Sequence, residues 1–328
     1  MTLVLTASVL ETLAHLPATI AAVEQAFADI ATGTACQPAP TSMQLPSSDG
    51  RYILMSGLAD AQGLAGVKLL SDLPANPDAG LPSQRSSILL ADQQTGETLA
   101  LLDGRVPTRV RTAAASAVAS KHLARPNSST LGLIGAGALA VAHVEAMLCV
   151  LPIDTVVVWS RSAATVEAFK ARISHLPVKV VAAGTIRDTV EAADVLCTLT
   201  PSVEPLVRGE WFLPGLHVNA VGARPRPTHR EIDAAGIARS ELFVDSIATA
   251  REKSGDLLMA IEEGSVTLMD IRGELGQVVA GQVPGRTHDA AITLFDSVGV
   301  GMQDVAIGRL LYDAAVSQGL GLDVNMAG

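Results

Sequence analysis

The 328-residue chain carries 23 Lys and Arg against 33 Asp and Glu, a formal charge of −10, with 48% apolar and only 3% aromatic residues. That length suits about two domains, and the Ala-, Val- and Leu-rich composition suits a globular protein with a large, closely packed core. The acidic balance excludes nucleic acid as a partner, since no basic surface is available to displace counterions, but not a small anion held by a few local arginines.

In chain order, Leu3–Leu5 reads as a short strand and Leu16–Ile30 as an amphipathic helix. Between Gly33 and Asp103 the pattern changes to short runs separated by turns, with candidate strands at Tyr52–Met55, Gly66–Leu70, Ser87–Asp92 and Thr98–Asp103. This predicts an antiparallel α+β unit. The alanine-rich segment Thr108–Leu123 reads as a long helix leading into a second domain. From Thr130 strands and helices alternate: Leu131–Ile134, a helix over 138–150, Thr155–Trp159, a helix over 163–175, Val178–Val181, a helix over 186–192, Val195–Thr198, His217–Val221 and Leu242–Val244. That is the rhythm of a doubly wound parallel sheet. A last helix, Gln303–Gln318, is expected to return to the first domain. The fold class is therefore α/β, a doubly wound Rossmann domain (residues 113–301) inserted into a split α+β dimerisation and substrate domain (1–112 with 302–328). Cys36, Cys149 and Cys197 are widely spaced with no CxxC pair, so neither a metal site nor a disulfide is expected, and Cys149 and Cys197 read as buried thiols. No run approaches 18 uninterrupted apolar residues and Met1–Leu10 lacks a basic region ahead of a long apolar one, which predicts a cytoplasmic protein with no membrane partner.

The segment Leu131-Gly132-Leu133-Ile134-Gly135-Ala136-Gly137-Ala138-Leu139-Ala140 is an apolar strand feeding a Gly-x-Gly-x-x-Ala turn. Gly135 permits the tight turn, Gly137 lets the backbone approach a pyrophosphate at the following helix N-terminus, and Ala140 keeps that helix close to the sheet. A dinucleotide site follows, with Ala136, Ala138 and Leu139 in its first turn and Thr198 and Thr200 at the end of a later strand. After the second strand, where an acid commonly binds the ribose 2′-hydroxyl, the chain reads Trp159-Ser160-Arg161-Ser162. Arg161 can pair with a 2′-phosphate, and Ser160 and Ser162 can donate to it, which favours NADPH, with NADH the weaker partner; otherwise Arg161 is a solvated residue at a helix start.

Outside that fold, Lys68 is a lone lysine between apolar neighbours on a predicted strand, either facing outward or binding a ligand. Arg109 and Arg111 open the long helix, where cations oppose the helix dipole, so they read either as joint capture of a carboxylate or as a surface pair. His229 reads as a loop-surface histidine or an acid, and His143 as structural or exposed.

Taken with Gly66-x-Lys68, Thr108-x-x-Arg111-Thr112-Ala113-Ala114, Asn219-Ala220-Val221-Gly222-Ala223, Val244-Asp245-Ser246, Ser254-Gly255-Asp256 and Ser297-Val298-Gly299, the chain resembles the ornithine cyclodeaminase/mu-crystallin family over nearly its whole length. The resemblance implies a homodimer, Lys68 as the catalytic lysine, Arg111 as the carboxylate-binding arginine with Thr108 beside it, and Asn219 to Gly222 with Val298 and Gly299 near the nicotinamide. Cyclodeaminases of the family carry an aspartate after the Asn-Ala-Val segment; here Gly222-Ala223-Arg224-Pro225-Arg226-Pro227-Thr228-His229-Arg230-Glu231 has none. An arginine common in the first domain is replaced in Gln37-Pro38-Ala39-Pro40, its contact missing or supplied by Arg51. The resemblance thus implies an NADPH-dependent ketimine reductase, converting Δ1-pyrroline-2-carboxylate to L-proline, with the six-membered analogue, giving L-pipecolate, as a second candidate substrate. A cyclodeaminase-type lyase, an alanine dehydrogenase and a non-catalytic NADP-binding protein are the alternatives.

Overall fold

The computed structural model describes residues 1–326, which form two compact units, Met1–Arg111 with the residues from Gly299 onward, and Thr112–Val298. The first begins with β1 (Thr2–Leu5), α1 (Ala7–Leu13) and α2 (Leu16–Thr32), then β2 (Ala35–Cys36), β3 (Thr41–Gln44), β4 (Arg51–Ala59), β5 (Leu64–Asp72), β6 (Gln84–Asp92) and β7 (Thr98–Asp103). Helix α3 (Arg105–Leu123) runs through the boundary. The second unit holds β8 (Thr130–Ile134), α4 (Ala138–Leu148), β9 (Thr155–Trp159), α5 (Ala163–Ile173), β10 (Lys179–Ala182), α6 (Ile186–Ala192), β11 (Val195–Thr198) and β12 (His217–Ala220). It continues through α7 (Ala234–Ala238), β13 (Glu241–Val244), α8 (Ile247–Lys253), α9 (Gly255–Glu262), β14 (Ile271–Glu274), α10 (Leu275–Val279) and β15 (Thr293–Asp296). The chain then re-enters the first unit with α11 (Gly301–Gln318) and β16 (Leu322–Val324). No helix among the described residues is long and apolar enough to cross a membrane.

The second unit is a Rossmann-type domain. Its sheet runs β10-β9-β8-β11-β12-β15-β13-β14 with every pairing parallel. The order reverses between β8 and β11, the switch point outside which open α/β sheets bind ligands. Thr293–Asp296, left unassigned by periodicity, is a strand between β12 and β13. The expected helix over 138–150 stops at Leu148, so Cys149 lies beyond it and is exposed; of the two thiols expected to be buried, only Cys197 is.

In the first unit the sheet runs β16-β1-β7-β6-β5-β4-β2, antiparallel except for β1 with β7, and β3 pairs with the edge of β4. The strands expected at Tyr52–Met55 and Gly66–Leu70 each extend to nine residues, because the β4–β5 ladder pairs continuously from Arg51↔Asp72 to Ala59↔Leu64. Alternation is strict on β5, where Leu64, Gly66, Lys68, Leu70 and Asp72 are buried and the residues between them are not. On the covered face, Leu64, Ile88, Leu90 and Leu102 share a core with Val305, Ala306, Ile307 and Leu311 of α11.

Helix α11 lies unusually close to that sheet because glycines face each other across the contact. A side-chain carbon on Gly301 would collide with the Ser56 carbonyl, one on Gly57 would reach Met302 Sδ at 2.6 Å, and one on Gly66 would reach Val305 at 2.8 Å. Replacing Gly301 by Ala should therefore destabilise the protein by about 2–4 kcal/mol, since backbone on backbone cannot relax as a side-chain tip can. Urea denaturation of Gly301→Ala checks this; a loss under about 0.5 kcal/mol would show that the helix is not pinned here.

Candidate active site

The close approach of α11 places two of its residues over β5 and α3. Lys68, in register with Met55 of β4 and Ile88 of β6, points to the covered face and its side chain is 0% exposed. Of its two sequence readings, the outward-facing one fails. Its Nζ lies 2.6 Å from Asp304 Oδ2, and the other oxygen, Oδ1, accepts from Arg111 Nε at 3.3 Å. Arg111 Nη1 also donates to Gln303 Oε1 at 2.6 Å. Burial, and then the neighbouring Arg111 charge, pull Lys68 down to a pKa of about 8, against the opposing pull of Asp304.

Two buried cations thus share one buried carboxylate, leaving the cluster with one net positive charge. Thr108 lies one turn before Arg111 on the same helix face, and its buried Oγ1 has no hydrogen-bond partner. The Gln303 amide nitrogen is likewise buried without an acceptor. A buried donor left unsatisfied costs about 1–3 kcal/mol, so these donors and the excess charge suit a small anion rich in acceptors. Gly299, at φ +94°, lies against the guanidinium; a side-chain carbon there would come within 3.1 Å of Arg111 Nη1.

Two sequence expectations are corrected here. Arg109 and Arg111 do not act jointly: Arg109 makes a two-point pair with Glu11, at 3.0 and 2.7 Å, at the surface. The helix starts at Arg105, so neither arginine opposes the exposed dipole of the first turn, and Asp304 is what holds Arg111. Arg51, the suggested extra carboxylate contact, pairs in register with Asp72, four positions along β5 from Lys68, or about 13 Å. It donates instead to Gln44 Oε1 at 2.9 Å.

In the second unit, Gly135 follows β8 with φ +110°, a conformation that favours glycine, and its N–H donates to the Trp159 carbonyl at the end of β9. Gly137 is the cap residue of α4, is exposed, and has nothing within 4 Å of where a side chain would begin. Backbone N–H groups of Ala138 and Leu139 open the helix there. This open, side-chain-free helix start fits a dinucleotide pyrophosphate. Beside it Ser160 is half-buried, and Arg161 and Ser162 are exposed. Asn219 is buried in β12; its amide nitrogen donates to Ser120 Oγ at 3.0 Å while its Oδ1 has no partner. Thr198 ends β11, Thr200 lies two residues on, and Val221 follows β12, its N–H donating to the Thr198 carbonyl. Val298 is half-buried at the end of the unit. His229 is half-buried and hydrogen-bonds the Thr228 hydroxyl, whereas His143 is fully buried between the Leu139 carbonyl and Ser116 Oγ; burial takes its pKa down to about 4, against the opposing pull of the Leu139 hydrogen bond.

Gln303, Asp304 and Glu231 were not singled out from sequence. An aspartate in a first helical turn is what the helix dipole favours, so Asp304 carries no mark of its ion pairs.

The comparisons with known proteins extend over nearly the whole chain. A Δ1-pyrroline-2-carboxylate reductase of Bacillus cereus is 34% identical over 97% of this chain and 98% of its own length. The structure of Thermococcus litoralis Δ1-pyrroline-2-carboxylate reductase in complex with NADH and L-proline superposes with a TM-score of 0.93 at 34% identity, covering 98% of this chain and 100% of that one. An archaeal alanine dehydrogenase dimer with bound NAD gives a TM-score of 0.93 at 32% identity, covering 99% of each chain. With the family model matching residues 1–319, the chain belongs to the ornithine cyclodeaminase/mu-crystallin family.

Proposed function

We propose that the protein reduces cyclic α-imino acids, Δ1-pyrroline-2-carboxylate foremost, to the corresponding L-amino acids with NADPH. The coarser part of this reading, a nicotinamide-dependent oxidoreductase acting on carbon–nitrogen bonds, follows from its family and the reductases and dehydrogenases it resembles. The observation that carries the finer part is the buried cluster in which Lys68 and Arg111 share one carboxylate. Arg111, held rigid by Asp304 and Gln303, presents its fork to the substrate carboxylate, with Thr108 adding a hydroxyl donor. Arg51 stands outside this set. Lys68 holds a proton toward the imine nitrogen, which must be protonated as the carbon is reduced. When bound, the reduced dinucleotide supplies the hydride. Gly135, Ala136, Gly137, Ala138 and Leu139 would hold its pyrophosphate, and Thr198, Thr200, Asn219, Val221 and Val298 its nicotinamide half. The segment Gly222–Thr228 contains no aspartate to serve the acid–base step of a cyclodeaminase, which argues against the lyase reading. Reductive amination of pyruvate is the second reading, favoured by the equal likeness to an alanine dehydrogenase.

The cationic form of Lys68 is the one this chemistry uses, and it is lost as pH rises through the pKa of about 8. The kcat/KM for cyclic imines should therefore fall above about pH 8, and Lys68→Ala should lose about 100-fold or more in turnover while still binding dinucleotide. Steady-state rates against five- and six-membered cyclic imines, and against pyruvate with ammonia, check both points. Faster turnover of pyruvate with ammonia overturns the imine reading, and near-normal rates in Lys68→Ala remove the lysine from it.

For the dinucleotide, Ser160, Arg161 and Ser162 support NADPH: an exposed guanidinium and two hydroxyls, with no carboxylate to repel a 2′-phosphate. Arg161→Ala should raise the KM for NADPH about tenfold and that for NADH less than twofold. Equal changes in both would sink the assignment.

The uncovered face of the first unit's sheet is apolar. Leu54 pairs with Leu69, Leu89 with Leu101, and Tyr52 and Leu58 extend the patch, with all but Leu89 exposed. Such a face favours burial against a second copy, making a homodimer. Sedimentation at micromolar concentration should give the dimer mass, and a monomer there would remove this reading.

A further inference from the structure

The motif Ser254-Gly255-Asp256 opens α9, yet its aspartate is not spent on its own helix. Ser254 caps the helix by accepting from the Leu257 N–H at 3.1 Å. Asp256 Oδ1 instead accepts the backbone N–H groups of Glu231 and Ile232 at 2.9 and 2.8 Å. Gly255 lies so close to the same stretch that a side-chain carbon on it would collide with the His229 carbonyl. The start of α9 is therefore the seat of residues 229–232.

From that seat the buried Glu231 side chain reaches back toward the carboxyl ends of the strands. Oε1 accepts from both the backbone N–H and the hydroxyl of Thr200, at 2.7 and 2.6 Å, and Oε2 accepts from the Gly222 N–H at 2.8 Å. Thr200 lies two residues past the end of β11 and Gly222 two past β12, and these strands are neighbours, with Thr198 opposite Ala220. The two loops touch: a side-chain carbon on Gly222 would collide with the Thr200 backbone nitrogen. The first loop also borders the glycine turn, since a side-chain carbon on Gly135 would come within 3.0 Å of the Leu199 carbonyl. One carboxylate thus sets both loops beside the nucleotide-binding turn while remaining buried behind them.

We propose that Glu231, seated by Asp256, is a positioning residue for the dinucleotide, fixing the loops after β11 and β12 in the shape that receives its nicotinamide half. A buried carboxylate is a costly tie if stability is its purpose, because apolar packing does as well without the desolvation penalty. That penalty is visible in Glu231, whose pKa burial pushes up to about 7, with the Thr200 hydroxyl opposing and Asp256 adding to the rise. What apolar side chains cannot supply is an acceptor for the two Thr200 donors and a second acceptor, beside the Thr198 carbonyl, for the Gly222 N–H of the other loop. The proposal does not depend on which imine is reduced.

Glu231→Gln separates the roles. A glutamine keeps one oxygen for Thr200 but turns an amide N–H toward the Gly222 N–H, leaving that loop only its backbone bonds to the Thr198 carbonyl. The expected result is a rise of about tenfold or more in the Kd for NADH and NADPH alike, read by nucleotide fluorescence. The kcat at saturating dinucleotide should stay within about threefold of wild type, and the far-ultraviolet circular dichroism should be unchanged. Gly222→Ala, which parts the same loops without touching the carboxylate, should show the same defect. A folded Glu231→Gln protein with unchanged Kd overturns the proposal. If Glu231→Gln does not fold, an unchanged Kd in Gly222→Ala overturns it, and if neither folds the carboxylate is a stability element and the proposal falls.

Discussion

The first unit depends on the near contact of α11 with β4 and β5. Because Gly57, Gly66 and Gly301 remove side chains from that contact, the helix descends far enough for Asp304 to reach Lys68 on one side and Arg111 on the other. A wider gap would leave two buried cations without a counterion, an arrangement that costs about 3–5 kcal/mol per broken pair. The glycines and the charges are therefore one device: close packing makes the ion pairs possible, and the ion pairs hold the arginine in a fixed pose. The chain enters this unit twice, and the site needs both passes, since Lys68 and Arg111 come from the first and Gln303 and Asp304 from the second.

The two units solve different recognition problems with different chemistry. The first collects buried side-chain donors and one excess positive charge, which suits a small carboxylate. The second offers backbone: a positive-φ glycine, an open helix start and loops tied from behind by Glu231. Behind those loops Asp296 ends β15, and burial with Asp256 and Asp245 nearby raises its pKa well above the usual carboxylate range. Glu231, Asp245, Asp256 and Asp296 are thus kept inside the scaffold of this unit, while the surface past β9 carries Arg161 and no carboxylate in Ser160–Ser162.

Legibility in the sequence followed the range of the interactions. The Rossmann rhythm, the Gly135–Gly137 turn and the long alanine-rich helix are local patterns, and each appears within a few residues of where periodicity and turn chemistry put it. Elements whose pattern is short or fed by distant pairing are harder to read: periodicity marks none of α1, α7, α8, α9, α10, β2, β3, β14 and β16, and β15 becomes a strand through ladders with β12 and β13, some 75 and 50 residues earlier. Cys149 was misplaced by the two residues that separate a helix end from an exposed turn.

By itself, the sequence determined that a dinucleotide-binding α/β unit lies in the middle of the chain, and that Lys68 and Arg111 are chemically out of place among their neighbours. It left open which way Lys68 faces and whether Arg109 joins Arg111, because strand alternation and helix phase do not say which face is covered. Only the tertiary structure decided these, by laying α11 on the Lys68 face and giving Glu11 to Arg109. The same holds for Asp304, 236 positions from Lys68, and for Glu231, whose bonds cross 31 residues to Thr200 and nine to Gly222. A carboxylate's partner over such distances is set by how elements pack, and no local pattern of residues encodes it.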